Sequence, residues 1–292
     1  MTVTASIRRP SFLTIAAMAF LFIWLAIAAV PFLWTLWGSF KVQADFFSKL
    51  DWQNALYGVF TLAETGGYFT DNGYEGAWIK EEFWRSSLNT MIMTFSVVAI
   101  SLTLGTLGGY ALSRSGYRYA FWVLIIALVF RAMPHITLVS GYLLPFFQLN
   151  LYGHLGTTIV VMVAINQPFT LWMLHSFFQN IPKDLDESAM VDGCTRFQAF
   201  RYVIIPHLVP LVVFISLMQL MDNFRVFEPI VGFNAEASAT SLSWIIYNDL
   251  RGSDGNILFG SAAATSLLSI IGICILLTPV LIRTWRAHGA RA

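Results

Sequence analysis

Long, almost uninterrupted apolar runs dominate this chain, and short polar segments separate them. A helix needs roughly 20 mostly apolar residues to cross the hydrocarbon core of a bilayer. Six runs reach that length, and they cover approximately residues 12–37, 86–112, 119–146, 157–178, 207–227 and 257–282. The pattern therefore predicts an all-α, polytopic membrane protein with six transmembrane helices, named here the first to the sixth span.

The composition favours the same class of protein. Of 292 residues, 57% are hydrophobic and only 11% are charged, whereas a soluble domain carries about 25% charged residues. A net charge of +1 provides no basic field for nucleic acid, so no nucleic-acid partner is expected. The predicted organisation is an N-terminus with the first span (1–38), a loop (39–85), a core of five spans (86–283) and a short tail (284–292).

The first span has one alternative interpretation. Arg8 and Arg9 precede the apolar run, and the small residues of "AIAAV" resemble a signal-peptide cleavage site. The run is about 26 residues long, however, and the apolar region of a signal peptide spans only about 7–15 residues. Its length therefore favours a span that stays in the protein.

The distribution of Lys and Arg between the loops predicts the orientation, because cytoplasmic loops are enriched in these residues. One side holds Arg8, Arg9, Arg114, Arg118, Lys183, Arg196, Arg201, Arg283, Arg286 and Arg291. The other side holds Lys41, Lys49, Lys80, Arg85 and Arg251. Both termini and the segment 184–206 are therefore expected in the cytoplasm, and the loop 39–85 outside. That outer loop is rich in acids and aromatics, which suits either an interfacial loop or a lip that meets an external partner.

The segment 184–206 is a polar interruption between the fourth and fifth spans. Asp184 and Glu187 have the spacing of a capping box, so a short helix is expected over 185–192. Gly193 follows, and a glycine there can adopt the left-handed conformation that ends a helix. Thr195 and Gln198 repeat the capping-box spacing and predict a second short helix that leads to Pro206.

Two faces of this helix pair carry apolar side chains. Leu185 and Ala189 stack at i and i+4, where a small alanine allows another surface to approach closely. Phe197 and Phe200 are expected to form an apolar patch on the second helix. From these features alone, an amphipathic pair lying on the membrane surface is the favoured interpretation.

The same segment resembles the EAA loop of ABC-transporter permeases. Glu187-Ser188-Ala189 is followed after three residues by Gly193, and nine further residues lead to Val203-Ile204-Ile205-Pro206. Ser188, Val203 and Ile205 depart conservatively from the family pattern. Further stretches ("SSLNTMIMTF", "GGYALSRSGY", "RAMPHITLV" and "FFQNIPKDLDESAMVDG") are similar to the six-span permease of maltose-transporter-type sugar importers, and the similarity covers residues from about 86 to 285.

The resemblance implies a type I ABC importer permease in a bacterial inner membrane. Its partners would be a second permease subunit, two ATPase subunits, a soluble sugar-binding protein, the sugar substrate and membrane lipids. ATP and Mg would be bound by the partner ATPase, and this chain would bind no cofactor. The residues that carry the coupling motif are Glu187, Ser188, Ala189, Asp192, Gly193 and Pro206.

The sequence contains no motif for chemistry of its own. It has no P-loop pattern G-x-x-x-x-G-K-[ST], no H-E-x-x-H and no G-x-S-x-G. The five His are scattered without the spacing of metal ligands, and the two Cys form no framework. No catalytic residue, no metal site and no enzymatic activity are therefore expected.

Polar residues at membrane depth are candidates for a substrate path, because they are costly there and face a cavity or a partner. The candidate residues for this path are Arg131, Asn166, Gln167, Gln219, Asp222 and Asn223. Arg131 lies about 18 Å into the third span at 1.5 Å per residue, just before a kink expected at Pro134. The alternative is that these groups bond to each other and hold helices together.

A stand-alone secondary transporter and an intramembrane enzyme are the two alternative functions. A stand-alone secondary transporter predicts inverted repeats with matching broken helices, and the sequence shows neither. An intramembrane enzyme would require a nucleophile–base pair or metal ligands at depth, and His135 and Asp222 could only be forced into such a role. The permease of an ATP-driven sugar importer fits the sequence better than either.

Overall fold

The computed structural model describes residues 12–40, 72–116, 118–252 and 257–289. In these ranges the regular structure is helical. The membrane-length helices are Phe12–Gly38, Phe83–Arg114, Leu155–Asn180, Arg196–Phe224 and Phe259–Gly289. They correspond to the first, second, fourth, fifth and sixth spans, and each contains an apolar stretch long enough to cross a bilayer.

The third span is not the single kinked helix that the sequence predicts. It consists of Arg118–Ala132 and His135–Gln148, which meet at an angle of 103°. Pro134 between them has an extended backbone, with φ −56° and ψ 136°. A proline donates no backbone hydrogen bond and disfavours the helical conformation at the residue before it, so the helix stops and restarts in a new direction.

The second and fourth spans form the centre of the bundle, and glycines let them approach closely. A Cβ atom on Gly105 would lie 2.6 Å from Cγ2 of Thr170, and one on Gly109 would lie 3.0 Å from the backbone nitrogen of His175. Leu174, in the turn between these two contacts, is fully buried. Small residues at such a crossing allow the backbones to pack without a large side chain between them.

Two apolar clusters fill the two ends of this bundle. At the loop end, Leu174, Phe178, Ile204 and Leu208 pack together, all with no exposed surface. At the opposite end, side chains from the second half of the bent pair pack on the fourth span and on the short helix Glu228–Gly232. The first span is exposed along nearly its whole length and contacts the sixth span, so most of its surface is available to lipid.

Short helices cover the end of the bundle that lies opposite segment 184–206. They are Asn72–Glu75, the π-helix Gly76–Lys80, Glu228–Gly232, Glu236–Ala239 and Leu242–Arg251. Residues 41–71, which hold most of the predicted outer loop, lie outside the described residues. In the described part of that loop, Tyr74 is joined to Ser39 by a hydrogen bond of 2.9 Å between their hydroxyls. The predicted tail is helical as far as Gly289.

Candidate functional site

The first candidate site is the polar segment between the fourth and fifth spans. Its first helix, Asp184–Val191, is named here the loop helix. The helix begins one residue earlier than the sequence predicts, because Lys183 already has helical backbone angles and takes the N-cap position. Asp184 is therefore inside the helix, and no side chain caps its N-terminus. The predicted capping box of Asp184 and Glu187 is wrong.

Gly193 ends the loop helix as predicted, with φ +88°. The amide of Gly193 donates to the carbonyl of Met190 at 3.1 Å, and the amide of Cys194 donates to that of Ala189 at 3.0 Å. These two bonds form a Schellman motif, in which a left-handed residue satisfies the last carbonyls of a helix. The turn therefore has a fixed geometry that depends on a residue able to adopt the left-handed conformation.

The second capping box is confirmed. The Thr195 hydroxyl accepts from the amide of Gln198, and the Gln198 side chain accepts from the amide of Thr195 at 2.8 Å. The helix that begins here does not stop at Pro206. It continues through the π-helix Ala199–Ile204 into the α-helix Ile205–Phe224, so the second half of the segment and the fifth span are one continuous helical element.

The coupling-motif residues differ in exposure. Glu187, Ser188, Asp192, Gly193 and Pro206 are exposed. Ala189 is buried, with 6% of its surface exposed, and the loop helix packs on the π-helix of the same chain. The space that this alanine leaves is therefore used within the chain, not by another protein.

The predicted patch of Phe197 and Phe200 is wrong, because the two rings lie in different environments. Phe197 is 69% exposed, whereas Phe200 is 7% exposed and its ring centroid lies 4.8 Å from that of Tyr110. The segment instead exposes Phe197 together with three side chains that the sequence did not single out. This set is named here the loop surface and consists of Met190, Val191, Phe197 and Tyr202.

The second candidate site is a polar pocket of about 410 Å³ near the opposite end of the fifth span. It is lined by Arg131, His135, Met162, Ile165, Asn166, Asp222, Arg225, Val226, Phe227 and Glu228. The bend in the third span places Arg131 and His135 on the same wall, with Nη1 of the arginine 3.0 Å from Nε2 of the histidine. Three of the six path candidates, Arg131, Asn166 and Asp222, thus meet in one cavity.

Charges in this polar pocket are balanced. The carboxylate of Asp222 lies 2.9 Å from Nη2 of Arg225 and 3.9 Å from Nη2 of Arg131. Glu228 adds a second acid to the wall. A cavity with both carboxylate acceptors and guanidinium donors can form hydrogen bonds to hydroxyl groups from either side.

The other path candidates lie elsewhere. Gln219 and Asn223 are buried between helices, with 2% and 1% of their surfaces exposed. The Asn166 side chain donates to Oδ1 of Asn223 at 3.0 Å, and the Gln219 side chain donates to the Thr170 hydroxyl. Gln167 lines a separate, mainly apolar pocket of about 260 Å³. Gln219 and Asn223 therefore join the fourth and fifth spans instead of lining the polar pocket.

The structure is thus a helical membrane bundle that exposes a short, geometrically fixed loop between its fourth and fifth spans, which is typical of a transport protein subunit that contacts a partner outside the bilayer. Residues 101–285 match the family described as "Binding-protein-dependent transport system inner membrane component". Because the match covers more than half of the chain, the protein belongs to this family. Members are inner-membrane permease subunits and are not themselves enzymes.

The chain is similar to curated sugar-transport permeases and to solved importer structures. It is 29% identical to the diacetylchitobiose uptake system permease protein NgcG of Streptomyces coelicolor, over 75% of this chain and 68% of that protein. It is 31% identical to the trehalose/maltose transport system permease protein MalG of Thermococcus litoralis, over 64% and 67%. A chain of a bacterial importer of the acidic polysaccharide alginate has the same fold, with a TM-score of 0.72 over 94% of this chain and 99% of that chain at 19% identity.

Proposed function

We propose that this chain is one of two permease subunits of an ATP-driven, binding-protein-dependent sugar importer in a bacterial inner membrane. The observation that carries the proposal is the loop helix with its Schellman turn and capping box, which presents an exposed Glu187 beside the exposed loop surface. Sugars enter the proposal because similar permeases are named for diacetylchitobiose, trehalose and maltose, and maltodextrin.

The segment 184–206 would be the part that an ATPase subunit grips. Glu187, Ser188 and Asp192 are exposed on the loop helix or at its end and would contact the ATPase, with Glu187 meeting a basic group. Gly193 would set the turn, Ala189 would pack the loop helix on its own chain, and Pro206 would stand where the fifth span's α-helix starts. ATP and Mg would be bound by the ATPase chains, and this chain would contribute no ligand to them.

The polar pocket would form part of the translocation path. Arg131, Asn166 and Asp222 line it and would donate and accept hydrogen bonds with sugar hydroxyls. Phe227 also lines the pocket, and its aromatic ring would stack against a sugar face. The soluble sugar-binding protein would deliver substrate at this end, and both termini would lie in the cytoplasm with the loop.

The test is reconstitution of the full importer in proteoliposomes, with ATP hydrolysis measured while maltose, trehalose and diacetylchitobiose are supplied in turn with the binding protein. We expect one of these sugars to stimulate hydrolysis. Glu187→Lys should abolish the stimulation and leave membrane insertion intact, because Glu187 is exposed and its side chain forms no hydrogen bond or ion pair with the part of the chain that the structure describes. Glu75→Lys changes an exposed acid at the opposite end of the bundle and serves as the control for insertion and basal hydrolysis.

The opposite results would contradict the proposal in a defined way. Normal stimulated hydrolysis in the Glu187→Lys importer would exclude the loop helix as the contact with the ATPase. Sugar uptake by this chain alone, without any ATPase, would support the stand-alone transporter instead.

A further inference from the structure

Arg114 occupies a position that the coupling motif does not include. It is the last residue of the second span, and its Nε lies 2.8 Å from Oδ2 of Asp186 on the loop helix. The two side chains are 16% and 14% exposed, so the pair is largely withdrawn from water. Within the described residues, it is the only ion pair that joins the loop helix to a span.

The same guanidinium also binds the end of the fourth span. Its Nη1 donates to the carbonyl of Ile181 at 3.1 Å and to that of Phe178 at 3.4 Å. The last carbonyls of a helix have no partner within the helix and carry its negative partial charge, so a cation there is favourable. Arg114 thus connects the second span, the fourth span and the loop helix through one side chain.

Tyr110, one turn before Arg114, connects these three elements to a fourth, the π-helix Ala199–Ile204. Its hydroxyl donates to Oδ1 of Asp186 at 3.2 Å. Its ring centroid lies 5.4 Å from that of Phe178 and 4.8 Å from that of Phe200 on the π-helix. Both carboxylate oxygens of Asp186 are therefore engaged by the second span, and the five residues Tyr110, Arg114, Phe178, Asp186 and Phe200 are named here the joint.

Outside the joint, the loop helix is held by apolar contacts: Ala189 packs on the π-helix, and Leu185 lies against the apolar cluster at the loop end. A short connection through Pro182 precedes it and the Gly193 turn follows it, and Glu187, Ser188 and Val191 face solvent. Apolar contacts have no preferred direction, so they alone allow a short helix between two turns to pivot when force is applied to it. An ion pair that is largely withdrawn from water, and whose members also form hydrogen bonds, resists such a pivot, because separating it leaves charged groups partly away from water.

We propose that Arg114 is a positioning residue that locks the loop helix to the ends of the second and fourth spans, so that all three move as one rigid body. The inference rests on the proposed function, since it concerns how motion received at the loop helix reaches the spans. Glu187 and its neighbours contact the ATPase and move with it, and the joint transmits this motion to the second and fourth spans. Without Arg114, the loop helix turns in place while the second and fourth spans stay still.

The first experiment measures the rigidity of the joint in the full importer, assembled in lipid nanodiscs. Cys194 and Cys274 are replaced by Ser, and spin labels are placed on Asp184→Cys and Leu107→Cys, both exposed positions. Electron paramagnetic resonance then gives the distance between the loop helix and the second span, without nucleotide and after trapping with ADP and vanadate. We expect one narrow distance, unchanged by trapping, and loss of that single distance in Arg114→Gln.

The second experiment measures transmission to the polar pocket. Phe227→Cys is labelled with a membrane-impermeant maleimide before and after ADP–vanadate trapping, so no knowledge of the sugar is required. We expect trapping to change the labelling rate about fivefold or more, in the range of ordinary coupling between two sites. Arg114→Gln and Asp186→Asn should each lose this change while still trapping ADP, and the double variant should be no worse than either one. Arg118→Gln, which alters an exposed arginine four residues later, should retain it.

The remaining outcomes distinguish failure of the rigid joint from failure of the proposed function. A distance that changes on trapping in the unaltered joint, or an Arg114→Gln importer that keeps the labelling change, would overturn the rigid joint and leave the proposed function standing. Trapping of ADP with no change in labelling in the unaltered importer would overturn the proposed function, and the inference about Arg114 with it.

Discussion

Gly105→Ala should destabilise this protein although alanine is the better helix former. The added Cβ would lie 2.6 Å from Cγ2 of Thr170 and 3.2 Å from Cδ1 of Leu174. Thr170 cannot turn away without cost, because it is buried, donates to the carbonyl of Asn166 at 3.1 Å and accepts from Gln219. The substitution therefore separates the second and fourth spans or breaks these hydrogen bonds.

The opposing contributions can be estimated. Replacing glycine by alanine inside a helix gains up to about 1 kcal/mol. Forcing a methyl group into a packed core costs about 1–3 kcal/mol, and breaking a hydrogen bond between buried groups costs about 1 kcal/mol more. The net effect expected for Gly105→Ala is a loss of about 1–3 kcal/mol of stability.

The matched control is Gly272→Ala in the sixth span, where an added Cβ has nothing within 4 Å. This variant should be neutral or stabilising by up to about 1 kcal/mol. Thermal unfolding of the purified subunit in detergent, followed by tryptophan fluorescence, compares the two. If Gly105→Ala raises the unfolding temperature as much as Gly272→Ala does, the close packing of the second and fourth spans at Thr170 is refuted.

Three further predictions concern single side chains. Burial raises the pKa of Asp249 to about 6; the negative charge of Glu81 adds to this rise, and Ser261 opposes it. The folded state therefore binds the proton of the Asp249 carboxyl group more tightly than the unfolded state does. Stability should consequently fall by up to about 3 kcal/mol as pH rises from about 4 to 6. Asp249→Asn should remove that dependence, and an unchanged pH profile of the unfolding temperature would contradict it. Asn223→Leu should cost about 1–2 kcal/mol by depriving the Asn166 side chain of an acceptor, and a double variant with Asn166→Leu should cost less than the sum of the two singles. At Gly193, where φ is +88° and a Cβ meets nothing, Asn should preserve stimulated ATP hydrolysis far better than Val, because Asn tolerates the left-handed region; equal activity of the two variants would show that the turn does not need this conformation.

The sequence predicted local features of the loop better than features that depend on distant contacts. The Thr195–Gln198 box and the Gly193 turn follow from residues within one helical turn, and both are present. Asp184 has the same local signal but does not cap, because the chain at Lys183 is already helical. The neighbouring Asp186 is bound by Arg114, 72 positions earlier in the chain, a contact that no local pattern can indicate.

The candidate path shows the same limit. Arg131, Asn166, Gln219 and Asn223 give the same signal in sequence, since each is a polar group in an apolar run. Whether each faces a cavity or another helix depends on rotation about the helix axes and on the direction of the bent pair. Pro134 marked the position of the bend correctly, but an angle of 103° depends on packing against the fourth span, so the sequence predicted only a kink.

The exposed loop surface also has a consequence for the cell that makes this protein. Val191 is 86% exposed and Phe197 and Tyr202 are each 69% exposed, at the end of the molecule that should face the cytoplasm. Apolar groups left uncovered in this way promote aggregation and recognition by quality-control proteases. The longer an unassembled chain remains without its partners, the more of it should be lost to aggregation or proteolysis. The supply of the partner subunits, and not only the gene dosage of the permease, should therefore determine how many complete importers accumulate.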